Sequence, residues 1–464
     1  MTDAVLTQPP ESPEVGRRGD PLHGGSDAHA LPYVTLFGTT DFGDEPEWLT
    51  IRRRDAIGRF AELGFPTRKN EDWHFTNVTP IAEREFRPVA PSDETGVREG
   101  DLDTLRFDGE WETLVFVNGH FVPVLSSTDG RDARAGCYVA PLSVALADAE
   151  RAAEIEPVLG TLAVRQGHAF SELNAAFQQD GACIIVRANT IAPRRIHLVF
   201  VTDDRAAGAL VSPHNLIVLG HHAEVTVVES YATLGDAVAL TNAVTEAHLG
   251  DGARLVHYKV QREERTSYHV ASSYATQGRD SNLETFSFAT GADLSRTNVS
   301  TLLAGTGAHA TLNGLYLVDG AQTVDHQTRI EHIAESCTSH ELYKGVLDGE
   351  SHAVFNGKVY VQPEAQKTDG KQSNNNLLLS EGAHVDTKPQ LEIFADDVKC
   401  THGATVGRLD PTATFYLKSR GVGEALARKL LTYAFAAEVL EELSVDVVRE
   451  ALEAQAFARF AGAA

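Results

Sequence analysis

The amino-acid sequence predicts a mainly β protein, a parallel β-helix core flanked by N-terminal and C-terminal helical domains. Three observations lead there. Helical spacing of apolar residues is present before Gly181 and after Asp410 and all but vanishes between them. The middle stretch consists instead of short β-branched runs: CIIVRA, RIHLVFV, NLIVLG, EVTVVESY, RLVHYKVQ, HATLNGLYLV, HAVFNGKVYV and QLEIFA. Many of these runs follow one phrase, a glycine turn leading into alanine, at Gly220, Gly252, Gly291, Gly305 with Gly307, and Gly382. Small residues at a corner let rungs stack at the strand spacing of about 4.8 Å. Turn-plus-strand units repeated without helices form a solenoid when each rung buries its inner face on the next. A pair of face-packed β-sheets, a sandwich, is the alternative.

Taken in order, residues 1–31 are rich in Pro, Gly and acid, lack the apolar core of a secretory signal, and read as a mobile tail. Residues 32–183 form a mixed, helix-rich domain. Leu49, Ile51, Ile57, Phe60 and Leu63 are helically spaced, and Gly64 before Phe65-Pro66 stops that helix. In PTRKNEDWHFTNVTPI, charges bracket Trp73 and Phe75, either as a docking hook or as a loop anchored by a buried Trp. LVFVNGHFVPVL is a β-hairpin about Asn118-Gly119, the dipeptide that supplies the positive φ angles of a tight turn. Pro141 to Phe177 returns to helical spacing.

Residues 184–410 carry the β-helix, in which QSNNNLLLS suits an interior polar ladder. In 411–464, Asp410 caps a helix with Pro411 at its first position. That helix ends near Arg420 and Gly421, and a second runs from about Glu424 to Leu443. Its apolar residues Leu426, Leu430, Leu431, Tyr433, Phe435, Val439, Leu440 and Leu443 cover more than the one stripe that packing on a core needs. The excess is either a partner surface or is covered by the remainder of the chain.

Composition narrows the function. A formal net charge of -25 repels phosphate backbones and anionic lipid, so nucleic acid and membrane surfaces are not expected partners. No apolar run approaches the roughly 18 residues of a membrane span. The four cysteines are far apart and form no C-x-x-C pair, which fits a reducing cytoplasm better than a disulfide framework. No phosphate-binding G-x-x-x-x-G-K-[ST] loop is present, so any ATP hydrolysis comes from another chain.

The stretch DDVKCTHGATVGRLD places Cys400 and His402 two residues apart. On a strand they share one face, with Lys399 and Thr401 on the other. Thiolate and imidazole are ligands that iron and zinc accept, so the pair is half a metal site, to be completed by His384 or by a second subunit. A Cys nucleophile with a His base, or two packed side chains, are the other readings. A second group, His326, His332, Cys337 and His340, reads as zinc-like C-x-x-H or as burial on successive rungs.

DDVKCTHGATVGRLDPTATFYLKSRGVGEALARKLLTYAFAAEVL resembles the C-terminal signature of the SufB/SufD family of iron-sulfur cluster assembly proteins, and the Cys-x-His-Gly-Ala-Thr form resembles the SufD branch. PTRKNEDWHFTNVTPI, LVFVNGHFVPVLS, NLIVLG, HELYKGVLDG and VQPEAQKTDGKQSNNNLLLSEGAHVDTKPQLEI are similar to further family segments. The resemblance implies a right-handed β-helix, no enzymatic activity, a heterodimer with a SufB-like paralogue, and a SufC-type ABC ATPase docked on the C-terminal helices; it leaves open whether a homodimer forms in isolation. It implies iron or a cluster held transiently at the interface by His402, with Cys400 secondary, and no cofactor held tightly by this chain alone. The ATPase contact falls on Arg420, Gly421, Leu426, Leu430, Tyr433 and Phe435. Gly403 stands where SufB carries a glutamate, which weakens a SufB-like reading of the chain as sole holder of a cluster. The remaining alternative is a polysaccharide-active enzyme on a β-helix, which requires a carboxylate cleft.

Overall fold

A computed structural model describes residues 28–92, 95–128 and 136–459. Two sheets run its length, one 11-stranded and one 10-stranded, and the chain alternates between them. In the first sheet, strands Leu240–Leu249, Tyr268–Gln277, Leu294–Leu303, Thr323–His332, His352–Val361 and His384–Ile393 pair in parallel, each with the next. In the second, Glu224–Thr233, Arg254–Arg262, Asn282–Ala289, His309–Val318, Thr338–Leu347, Asp369–Leu378 and Lys399–Gly407 do the same. Consecutive strands therefore lie in opposite sheets and each strand pairs with the next but one, which defines a solenoid and removes the sandwich alternative.

The corners explain the glycine phrase. A Cβ on Gly220 would lie 2.6 Å from the backbone N of Ala188, and one on Gly250 would lie 2.9 Å from the carbonyl carbon of Gly220. One on Gly278 would sit 2.9 Å from the carbonyl carbon of Gly250. Successive corners thus stack backbone on backbone, which only glycine allows. Ala223, Ala253, Ala308 and Cys337, each just before a strand of the second sheet, are fully buried.

The interior carries apolar and polar columns side by side. Phe116, Phe200 and Tyr231 stack at 4.9 Å spacings in one of them. Polar groups pair beside it. Glu229 accepts from Thr245 at 2.6 Å and Tyr231 at 2.8 Å and lies 2.9 Å from His257 Nε2; although burial opposes ionisation, these partners hold its carboxyl down at about 2. Burial lowers the Lys259 ammonium to about 8 against the pull of Glu263 and Glu229, and its Nζ donates to Thr297 at 2.9 Å. In the expected polar ladder, Gln372, Asn374 and Asn376 face inward, and Tyr316 donates to Asn376 at 2.6 Å. Unpaired, such groups would each cost about 1–3 kcal/mol, so the network specifies its own register.

Outside the solenoid, helices Leu31–Phe37, Glu47–Leu63 and Ala169–Phe177 bury Tyr33, Phe60, Phe65, Phe170 and Phe177 against Leu240, Tyr268, Val270 and Leu294 of the first sheet. The Trp73–Phe75 pair divides. Trp73 is buried, stacked 5.4 Å from Phe170 under the Arg296 guanidinium, while Phe75 is exposed, so the pair is an anchor and not a docking hook.

Three expectations need adjustment. Residues 1–27 of the expected tail lie outside the described residues, and Ala30 with the helix from Leu31 already belongs to the packed domain. The hairpin turns at Asn118 (φ 53°) and Gly119 (φ 90°), but its return strand is only His120–Phe121. Its first strand, Trp111–Val117, lies parallel to Arg195–Thr202 and extends the second sheet, because its β-branched, two-sided apolar face completes that layer. Helical spacing over 141–177 resolves into four short helices, Leu142–Ala147, Ala149–Ile155, Thr161–Gln166 and Ala169–Phe177.

Candidate functional site

The solenoid ends at two strands, His384–Ile393 in the first sheet and Lys399–Gly407 in the second, each with one neighbour and one free edge. Free edges present unpaired N–H and C=O groups and invite further pairing. Lys399–Gly407 is exposed along nearly its whole length.

Its register settles which way the Cys-x-His pair faces. Cys400 pairs with Gly370, His402 with Gln372, Ala404 with Asn374 and Val406 with Asn376, all four partners being buried, inward-facing positions. Cys400 and His402 therefore extend the interior columns, while Lys399 and Thr401 face out. Cys400 packs against Val359, Val361, Leu391 and Ile393. Burial raises its thiol above the usual range, with Asp369 adding to the effect and a backbone hydrogen bond at Gly370 opposing it. At neutral pH it is a thiol, a poorer donor to a metal than the exposed imidazole of His402.

His384 does not join them. It points from the opposite, outer face of its strand, its rings stacked 5.3 Å from His352, and its Nε2 lies 3.3 Å from Asp386 Oδ2. The alternation that turns Val385, Leu391 and Ile393 inward turns His384 outward. Any completing ligands for Cys400 and His402 are thus not supplied by His384.

The second cluster is dispersed through the core. His326 stacks on Tyr316 at 5.2 Å, and His332 Nε2 lies 2.9 Å from Ser339 Oγ. The Cys337 thiol donates to the Gly305 carbonyl at 3.3 Å from its place in the corner column. Burial lowers His326 to about 3 and His332 to about 4, so both are neutral packing elements. His340 is half-buried on the outer side. The C-x-x-H reading gives way to rung stacking.

The C-terminal helices Pro411–Ser419, Glu424–Leu440 and Asp446–Arg459 follow the last rung, and the latter two lie on the outer face of the second sheet. Val439, Leu440, Leu443, Val448 and Leu452 pack there on Tyr258, Phe288, Leu317 and Leu377. Phe435 belongs to this contact, with Lys344 Nζ 4.4 Å above its ring, and is removed from the expected partner surface. Tyr433 is half-covered by Phe457, whose ring lies 5.4 Å away. Leu426 and Leu430 remain exposed, as do Phe415 and Tyr416 of the preceding helix. Gly421 (φ 88°) makes the turn between them, with the Arg420 guanidinium 5.1 Å from the Tyr416 ring.

A parallel solenoid whose last rung is open, carrying a thiol and an imidazole on that rung and an exposed apolar helical patch after it, offers edges and surfaces suited to assembly with other chains. Comparison with protein families gives such an architecture a name. Residues 200–435 match the core domain of SufBD proteins of the SUF system for iron-sulfur cluster assembly, and residues 39–198 match the SufBD N-terminal region. The chain belongs to the SufBD family, on its SufD branch. It is 34% identical to the iron-sulfur cluster assembly protein SufD of Escherichia coli, over 88% of this chain and 92% of that one. Against SufD of Bacillus subtilis the identity is 28%, over 88% and 93%. A SufBD family protein of Synechocystis is 32% identical over 86% and 89%. No helix among the described residues is long and apolar enough to cross a membrane.

The sequence did not disclose that His402 crowns a column in which Gln372 donates to Glu341 at 2.6 Å, nor that His352, His384 and Asp386 meet. The first follows from a register of about 30 residues that no local pattern reveals. The second was signalled only by a histidine opening each of two successive first-sheet strands, SHAVF and AHVD.

Proposed function

We propose that this chain is a non-enzymatic scaffold subunit of a cytoplasmic SUF assembly complex. It pairs through its open end with a SufB-like paralogue and docks a SufC-type ATPase on its C-terminal helices. Iron or a nascent cluster is the cargo, held transiently between subunits. The observation that carries this reading is the unpaired last rung with Cys400 and His402 on its inward face. A partner that adds strands to both free edges would continue the two sheets and cover the pair, and it would bring the ligands that two donors lack. An imidazole binds iron through a ring lone pair, whereas the Cys400 thiol, raised by burial, must first lose its proton, which favours His402 as the primary donor.

Support for the ATPase surface is the exposed set Phe415, Tyr416, Leu426 and Leu430, with Arg420 and Gly421 at the intervening turn and Tyr433 at its margin. Four free cysteines are consistent with a reducing compartment.

Co-expression with a SufB-like chain and a SufC-type ATPase, followed by native mass measurement, tests the reading. A complex containing all three is expected. Val406→Lys with Ala404→Lys, two charges on the inward face of the edge, should release the paralogue and leave the ATPase bound. Retention of the paralogue at wild-type yield would overturn pairing through this end.

A further inference from the structure

We infer that His352, His384 and Asp386 form a binding site for a divalent first-row transition metal on the outer face of the first sheet, separate from the Cys400–His402 pair. His352 and His384 are register partners on adjacent strands, and Asp386 lies two residues on, on the same face as His384. Parallel neighbours are about 4.8 Å apart, which brings the two imidazoles to 5.3 Å. The Asp386 carboxylate accepts from His352 Nε2 at 2.8 Å and lies 3.3 Å from His384 Nε2. Among the described residues, this is the one group of three His, Cys, Asp or Glu side chains whose ligand atoms all lie within 4.8 Å of one another.

The chemistry of the donors selects the ion. Two imidazole nitrogens and one carboxylate oxygen make a three-ligand face of the kind used by zinc and ferrous sites that keep open positions. Bonds of about 2.0–2.2 Å place such ligand atoms roughly 3–3.5 Å apart, so the observed separations need little adjustment. Magnesium and calcium, which demand mostly oxygen ligands, are disfavoured. The column shows that the arrangement is particular to the end of the solenoid. The positions preceding His352 in it are Thr323, Leu294 and Tyr268, none of them a usual metal ligand. The N-terminal domain covers the outer face over the earlier rungs, whereas His384 is 66% exposed at its side chain. An ion here has open coordination positions that water or another molecule fills.

The test uses the untagged full-length chain freed of metal by chelation, titrated calorimetrically with zinc, with ferrous iron under anaerobic conditions, and with magnesium. The wild type should bind one zinc or ferrous ion more than the His384→Ala/Asp386→Asn variant, release protons on binding, and gain a higher thermal midpoint that the variant does not. His402→Ala should keep this site, which separates it from any ion held by the last rung. All three residues lie on the outer face, so far-UV circular dichroism of the metal-free variant should match wild type. Equal zinc stoichiometry in wild type and variant would overturn the site, and equal competition by magnesium would overturn its assignment to a transition metal.

Discussion

His402 and Gln372 are in-register neighbours on adjacent parallel strands, and Gln372 donates in turn to the buried carboxyl of Glu341 at 2.6 Å. The exposed imidazole at the end of the solenoid is thereby the last member of an inward-facing column in which Leu312, Glu341, Gln372 and His402 follow one another. The position of His402 is set by the rungs beneath it.

His402→Ala should lower iron and sulfide several-fold in the complex co-expressed with the paralogue and ATPase, with subunit stoichiometry unchanged. Cys400→Ser should have the smaller effect, because its thiol is half-buried and held protonated. Iron and sulfide per complex decide this. Wild-type content in His402→Ala would reduce the pair to two packed side chains on a rung.

Leu426→Asp with Leu430→Asp should abolish co-purification of the ATPase and leave the circular dichroism of the chain unchanged, since both side chains are exposed. By contrast Leu440→Asp should unfold the C-terminal helices, its side chain being fully buried against the second sheet. An ATPase that still co-purifies with the double variant would move its contact elsewhere.

Glu341 supplies a pH test. Burial raises its carboxyl to about 7, against the lowering effect of hydrogen bonds from Thr328 and Gln372. Between the ordinary carboxylate range and about 7 the native state holds a proton that the unfolded chain has lost. The contribution of this group is therefore full below the unfolded pKa and lost as pH rises through the folded one. Glu341→Gln should leave stability nearly unchanged near pH 4.5 and raise it by on the order of 3 kcal/mol at pH 8. Urea denaturation at the two pH values measures it, and parallel pH profiles for wild type and variant would refute it.

Arg296 ties the N-terminal domain to the solenoid. It is fully buried, donates to Asp325 at 2.6 Å and to the Asp72 carbonyl at 2.7 Å, and lies 3.6 Å from the Trp73 ring centre. Removing it leaves Asp325 buried without its cation, so Arg296→Ala should destabilise the chain by about 3–5 kcal/mol. The Trp73 fluorescence should shift as the indole becomes hydrated. A loss under about 1 kcal/mol would show that other groups take over the pairing.

Much of the fold was legible locally. The helix Glu47–Leu63 and its glycine stop, the cap at Asp410, the turn at Asn118-Gly119 and the shared face of Cys400 and His402 depend on neighbours within a few residues, and the structure agrees on each. The glycine phrase predicted close corners, which the backbone approaches at Gly220, Gly291 and Gly305 display. The polar run QSNNN was legible as interior because alternation presents every second residue to one side.

By itself the sequence determined the solenoid, its helical ends and the chemistry available on its last rung, because strand period, turn residues and caps are properties of short segments. Only the tertiary structure decided which residues meet. It drew Trp111–Val117 into the second sheet, set Phe435 against the solenoid while Leu426 stayed exposed, and sent His384 to His352 and Asp386 instead of His402. Each outcome depends on the length of a rung, which fixes the residue that stacks on a given position one turn later. That length is the sum of two strands and two corners, and it varies along the solenoid, Leu294 stacking on Tyr268 and His384 on His352 across rungs of unequal length, so local pattern does not fix it.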